Sequence, residues 1–251
     1  MIEIENLSKR YGNFHAVDNL SLSIRRGEIF GFLGVNGAGK TTTIRMLVGV
    51  LKPSAGRISI GGYDLLSDPQ LAKSITGYIP DRPYIYTKLT GREFLHFMAD
   101  LYNVARKDAA ERIPSLLREF GLVEWQDDLV ESYSHGMRQR LATCAAVIHR
   151  PQVLIIDEPM VGLDPRGARL LKDTLRRYAS EGMTIFLSTH SLNVAQEVAD
   201  RLAIIQRGKL ISVGTLSEIR QQSGKLEADL ELLFLQLTEE QSLSESLSGG
   251  A

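Results

Sequence analysis

Four short stretches carry residue types and spacings that can do chemistry. The first, GVNGAGKT (34–41), fits G-x-x-x-x-G-K-[ST], with a strand-like run before it and a helical pattern after it. Glycines let backbone N–H groups curl around phosphate oxygens without Cβ clashes, and the following helix N-terminus adds positive dipole. Gly34, Asn36, Gly37, Ala38, Gly39 and Thr42 form the cradle; Lys40 can reach the β- and γ-phosphates, and the Thr41 hydroxyl can bind Mg²⁺. The second, IIDEP (155–159), ends an apolar run in two carboxylates at a strand's C-terminal end, where ligands sit in open α/β sheets. Asp157 is read as part of the Mg²⁺ shell. Glu158 is read as the group that polarises an attacking water, a role worth about 10²–10⁴-fold in rate. An acidic strand terminus that merely caps the next helix is the alternative. The third is His190, directly after FLST at the next strand end. Alone, it reads as a hydrogen-bonded structural residue; beside the first two stretches it reads as a γ-phosphate sensor. The fourth, YSHGMRQR (133–140), puts a hydroxyl and a glycine at the start of a second helix, again a place to hold an anion.

Strand-like and helical runs alternate around these residues. EIFGFL (28–33) reads as a strand, and a helix from Thr42 carries Ile44, Leu47, Val48 and Leu51 on one face before Pro53. RISIGGYDL (57–65) reads as strand and turn. TGRE (90–93) is a capping box ahead of a helix with Phe94, Phe97, Met98, Leu101 and Tyr102. A helix over 109–120 stops at Gly121, and Pro114 should kink it unless it lies in the first turn. Further helices are expected over 136–149 and 166–180, with strands VLIID (153–157), TIFLS (184–188) and LAIIQ (202–206). Continuous apolar strands alternating with helices imply a parallel sheet covered by helices. Residues 82–150 are almost purely helical and read as a subdomain inserted into that α/β core. Leu226, Leu230, Leu233 and Leu237 suggest a last helix, either docked on its own domain or extending a dimer contact. The small, polar tail at 242–251 reads as disordered.

The 251 residues are 43% hydrophobic and 24% charged, enough for a real core. A net charge of −1 removes any general electrostatic footprint for nucleic acid. With Cys144 as the one cysteine, no internal disulfide can form, a reducing compartment fits, and the residue reads as small core filler. MIEIENLSKRYG has no apolar centre and is not read as a secretory signal, and no stretch approaches 18 apolar residues. A membrane role would have to come through a partner.

These residues together resemble the ATP-binding subunit of an ABC transporter, over roughly residues 2–220. KRYGNFHAVDNLSLSIRRGEIFGFLGVNGAGKTTTIRML is very close to the family's opening, GLDP (162–165) is similar to its D-loop, and STH (188–190) to its switch histidine. The nearest branch is the drug and antibiotic exporter type. The resemblance implies an α/β P-loop NTPase fold: a mostly parallel sheet, an N-terminal antiparallel β subdomain, the helical insertion at 82–150, and a C-terminal extension from 221. It implies ATP and Mg²⁺ as cofactors and Tyr11 as the ring stacked on adenine, against the alternative of a tyrosine packed in the core. It implies a head-to-tail dimer with a second copy or a related subunit, in which Ser134 and Gly136 of one chain face the γ-phosphate held by the other. It implies separately encoded integral membrane permease subunits, a location at the cytoplasmic face of the membrane, and no nucleic acid. Tyr84 and Tyr86, ahead of the 90s helix, sit where the family receives a helix from the membrane subunit, or else pack within the domain.

Two positions depart from the family pattern. His135 stands where the signature has its first glycine, so its imidazole must point aside or meet the phosphate. Asp81, in GYIPDRP (77–83), replaces a common glutamine; it can ligate Mg²⁺ but donates no amide hydrogen. It is read as the metal-sensing hinge, or as a loop aspartate that caps a turn. The rival functions are a soluble ABC ATPase acting on ribosomes or DNA, which would bring a second ATPase half, a basic linker or coiled-coil arms, and a regulatory binding module with little turnover.

Overall fold

A computed structural model describes residues 1–160, 163–223 and 230–237. The central sheet has six strands: β3 (Ile29–Leu33), β6 (Thr76–Ile79), β7 (Val153–Asp157), β8 (Thr184–Thr189), β9 (Arg201–Gln206) and β10 (Lys209–Gly214). Their order is β10-β9-β3-β8-β7-β6, parallel throughout except β10, which pairs antiparallel with β9. Every residue of β3, β7 and β8 is buried, because helices or a second sheet cover both faces. That explains why these strands read as unbroken apolar runs rather than alternating ones.

The second sheet is antiparallel, order β2-β1-β4-β5, from β1 (Ile2–Tyr11), β2 (Phe14–Ile24), β4 (Ala55–Ile60) and the short β5 (Tyr63–Asp64). Its inner residues Ile2, Ile4, Leu20 and Ile58 pack with Phe30, Phe32, Phe186 and Ile44 into one continuous cluster. On the opposite face of the central sheet, Leu154, Ile156, Ile185 and Leu187 meet the helices α3 (Gly91–Leu101), α4 (Arg106–Glu119), α5 (His135–Val147) and α6 (Pro165–Ser180). The expected helices of 82–150 are therefore there, and α5 also packs on β6.

Several boundaries differ from expectation. Helix α1 (Lys40–Leu47) starts two residues earlier than Thr42 and ends before the apolar face does. Gly49, at φ 66°, takes the left-handed turn that a glycine tolerates, while the Val50 and Leu51 N–H groups return to the Arg45 carbonyl. Helix α4 runs from Arg106, so Pro114 lies well inside it rather than in the first turn, and the helix continues through it. Its ladder lacks one donor there, while the buried face of Ala109, Ile113, Leu116 and Leu117 holds the helix on its neighbours. The TGRE capping box is present: Glu93 N–H donates to Thr90 Oγ1 (3.2 Å) and Thr90 N–H to Glu93 Oε2 (2.8 Å). Two short helices, α2 (Pro69–Ser74) and α7 (Leu192–Val198), precede β6 and β9, and an unexpected second box, Thr215 with Glu218, opens α8 (Leu216–Gln222).

Residues 230–237 are helical and bury Leu230, Leu233 and Phe234 against Leu33, Leu202, Ile204 and Ile219. This stretch docks on its own domain. Its expected start at Leu226, the 242–251 tail and Gly162 of GLDP lie outside the described residues. Cys144 is fully buried with its thiol toward the Leu116 carbonyl, and burial pushes its pKa well up, so it is core filler as expected. Among the described residues no helix is long and apolar enough to cross a membrane.

Candidate functional site

Four adjacent parallel strands end side by side. Leu33 of β3 pairs with Thr189 of β8, Ser188 with Asp157 of β7, and Ile79 of β6 with Ile156. Parallel register thus carries the 34–41 loop, His190, the Asp157–Glu158 pair and Asp81 to one edge of the sheet, although they are far apart in sequence. This is the carboxyl end of the strands, where open α/β sheets place ligands.

The 34–41 loop fits between β3 and α1 only with glycine at critical points. Gly39 sits at φ 109°, and a Cβ there would come within 2.5 Å of the Ala16 carbonyl. A Cβ on Gly34 would approach the Ile205 carbonyl to 2.6 Å. No side chain caps the N-terminus of α1, which leaves its first N–H groups facing the cleft. The Lys40 ammonium, 7% exposed, donates to the Gly34 carbonyl (2.7 Å) and lies 3.8 Å from Glu158 Oε1. Burial lowers its pKa, opposed by the negative charges of Glu158 and Asp157.

Glu158 adopts φ 50°, a left-handed conformation that a non-glycine side chain takes at a cost. Its N–H donates to the Ser188 carbonyl (2.9 Å), which ties it to β8. Its carboxylate has three neighbours: Lys40, His190 Nδ1 at 2.8 Å from Oε1, and the Thr189 hydroxyl at 3.1 Å from Oε2. Asp157 is 4% exposed, and its pKa is raised, first by burial and then by Glu158 and Asp81, although Ser188 and, more weakly, Lys40 pull the other way.

The cleft these residues line has a volume of about 350 Å³. Asn36, Gly37, Gly39, Lys40, Thr41, Thr42, Asp81, Asp157 and Glu158 are all on it. Gly34 and Ala38 lie in the loop itself, and His190 touches the site through Glu158 while remaining exposed. Thr189, Phe14, Ala16 and Val35 also belong to the site and were missed in the sequence. Thr189 was within reach, as the residue before His190; Phe14 and Ala16 carry no local signal, because the antiparallel hairpin brings them in. Tyr11 is not on the cleft lining, but it is the cross-strand partner of Phe14. A larger crevice of about 710 Å³, bordered by Arg112, Glu119, Arg150 and Tyr178, contains none of the motif residues.

Ser134 and Gly136 are not on this cleft. Ser134 caps α5, accepting from Met137 N–H (3.3 Å), and both Ser134 and His135 face solvent. Within one chain this helix start has no phosphate cradle to complete.

The donor set suits Mg²⁺ held together with phosphate. Among the described residues no group of three or more His, Cys, Asp or Glu side chains is arranged to hold an ion. Mg²⁺ commonly needs only one or two protein ligands when substrate phosphates supply the rest. Three carboxylates against one ammonium leave negative charge that a divalent cation would offset.

The family model described as "ABC transporter" matches residues 17–161. The chain is 36% identical over 224 residues, 89% of its length and 72% of the relative's, to the linearmycin resistance ATP-binding protein LnrL of Bacillus subtilis (strain 168). It is 38% identical over 248 residues, covering 98% of this chain and 73% of the relative, to the daunorubicin/doxorubicin resistance ATP-binding protein DrrA of Streptomyces peucetius. A solved ATP binding subunit of an ABC transporter superposes with a TM-score of 0.90 at 35% identity, covering 95% of this chain and 99% of that one. On these grounds the chain belongs to the ABC transporter family, as an ATP-binding subunit whose ATP hydrolysis drives transport.

Proposed function

We propose that each ATP lies between the 34–41 loop of one copy and the Ser134–Gly136 helix start of a second copy or related subunit, and that closure of this pair drives an exporter. The 34–41 loop binds the triphosphate, and Lys40 leaves the Gly34 carbonyl and Glu158 for the phosphate oxygens. Glu158, freed of that contact, orients water and accepts its proton; His190 and the Thr189 hydroxyl hold the carboxylate in place. Thr41 and Asp157, with Asp81 at their side, would hold Mg²⁺, which neutralises phosphate charge when bound. Ser134 and Gly136 offer a hydroxyl and a backbone N–H to the partner's γ-phosphate, so that ATP joins the two copies and its hydrolysis releases them.

The observation that carries this reading is the division of the motifs. The loop, Asp81, Asp157 and Glu158 share one cleft, whereas the signature helix start stands exposed elsewhere on the same chain. Resistance functions in the names of LnrL and DrrA support export, and with it a site at the cytoplasmic face of a membrane, reached through separate permease subunits. Exposed Tyr84 and Tyr86, stacked edge to face, suit such a partner surface. The test is Glu158→Gln: it should keep ATP binding, lose turnover and collect as an ATP-bound dimer on size-exclusion chromatography. Normal turnover would reject Glu158 as the base.

A further inference from the structure

The exposed helix start at Ser134 follows directly on a buried ring. Tyr133 is 3% exposed and lies in the same cluster as Phe94, Leu95 and Val130. Both residues are extended, with ψ 137° at Tyr133 and 164° at Ser134, so their side chains point to opposite sides: the ring into the core, the Ser134 hydroxyl to solvent. The Tyr133 hydroxyl donates to the Trp125 carbonyl at 2.6 Å. Gly91, the first residue of α3, makes room for it, since a Cβ there would overlap the hydroxyl oxygen. Apolar packing is non-directional, whereas a hydrogen bond fixes direction, so the hydroxyl supplies what the ring alone does not. On the other side of the helix start, Arg138 of α5 donates to the Val130 (3.3 Å) and Glu131 (2.9 Å) carbonyls.

Donors that must meet a phosphate held by another molecule work best when their aim is fixed before that molecule arrives. We propose that Tyr133 is a positioning residue: its hydroxyl, held on the Trp125 carbonyl, sets the direction in which Ser134 and Gly136 present their donors to the nucleotide of a second copy. This inference rests on the reading of Ser134–Gly136 as the second half of a shared site. Tyr133 touches no phosphate itself. Its effect therefore belongs to closure of the pair and to turnover, and not to ATP uptake by the 34–41 loop.

The test uses the full chain carrying Glu158→Gln as parent, with Tyr133→Phe, Gly91→Ala, the two combined, and Ser134→Ala added to it. ATP affinity is measured by equilibrium dialysis of dilute protein, and ATP-dependent dimerisation by sedimentation. Tyr133→Phe should keep ATP affinity within about twofold and weaken dimerisation about fivefold, as expected for one lost hydrogen bond. With Glu158 restored, it should lower kcat and leave the KM for ATP within about twofold. Gly91→Ala keeps the hydroxyl but pushes it aside, so it should weaken dimerisation by a similar factor, and the combined variant should lose no more than either alone. A Tyr133→Phe chain that melts lower yet dimerises as its parent does would make the hydroxyl a plain stability contact and overturn the proposal. So would an equal loss of ATP affinity, or losses that multiply in the combined variant. Unchanged dimerisation in Ser134→Ala, or a parent that forms no ATP-bound dimer, would reject the shared-site reading itself, and the inference with it.

Discussion

Asp157 lies at the bottom of the cleft, buried and beside two further acids, with Lys40 as the nearby cation. Burial first, then Glu158 and Asp81, raise its pKa. The folded chain therefore keeps the Asp157 proton to higher pH than the unfolded chain does. Between those two pKa values the native state binds more protons, so stability falls as pH rises through that window and stays reduced above it. Asp157→Asn removes the charge at constant shape. It should raise the melting temperature of the nucleotide-free protein at neutral pH, with the gain shrinking as pH falls toward the unfolded-state pKa of about 4. An unchanged or lower melting temperature would mean that Ser188 and Lys40 already compensate the charge. His135 poses the opposite question, since it is exposed at the first position of α5 and its ring can point away. His135→Gly should retain or raise ATP hydrolysis in a steady-state assay. A loss above about tenfold at equal folding would give the imidazole an active part.

At the scale of elements, caps and register position the chemistry. The Thr90–Glu93 box starts α3, which packs under α5 and so supports the Ser134 helix start. Thr90→Ala should cost about 1 kcal/mol, read as a fall of roughly 2–4 °C in melting temperature. No change would mean that α3 is held by its buried Phe94 and Leu95 alone. This box was legible in the sequence, as were strand 153–157 and the glycine loop, because each rests on a local pattern of spacing. Other features were not legible, because distant parts of the chain decide them. The Phe14 position follows from hairpin pairing, and the continuity of α4 through Pro114 from packing of its apolar face. The left-handed Glu158 is tied to the Ser188 carbonyl, thirty residues on in sequence. The motif residues of the cleft were readable; the walls around them were supplied by tertiary contacts.

For the whole molecule, the decisive fact is that the 34–41 loop with its carboxylates and the Ser134–Gly136 helix start, which the proposed function joins across two copies, do not meet within one chain. The 34–41 loop and the carboxylates lie at the strand ends, while Ser134 caps a helix that faces solvent. Two copies related by a twofold axis would complete two equal sites at once. The most direct measurement is the specific ATPase activity of the purified chain over a protein dilution series, at saturating ATP and Mg²⁺, with mass checked at each concentration by light scattering. Activity per chain should fall with dilution as dimers dissociate, and monomeric samples should be nearly inactive. Full activity per chain in a strictly monomeric sample, independent of concentration, would contradict a site shared between two copies.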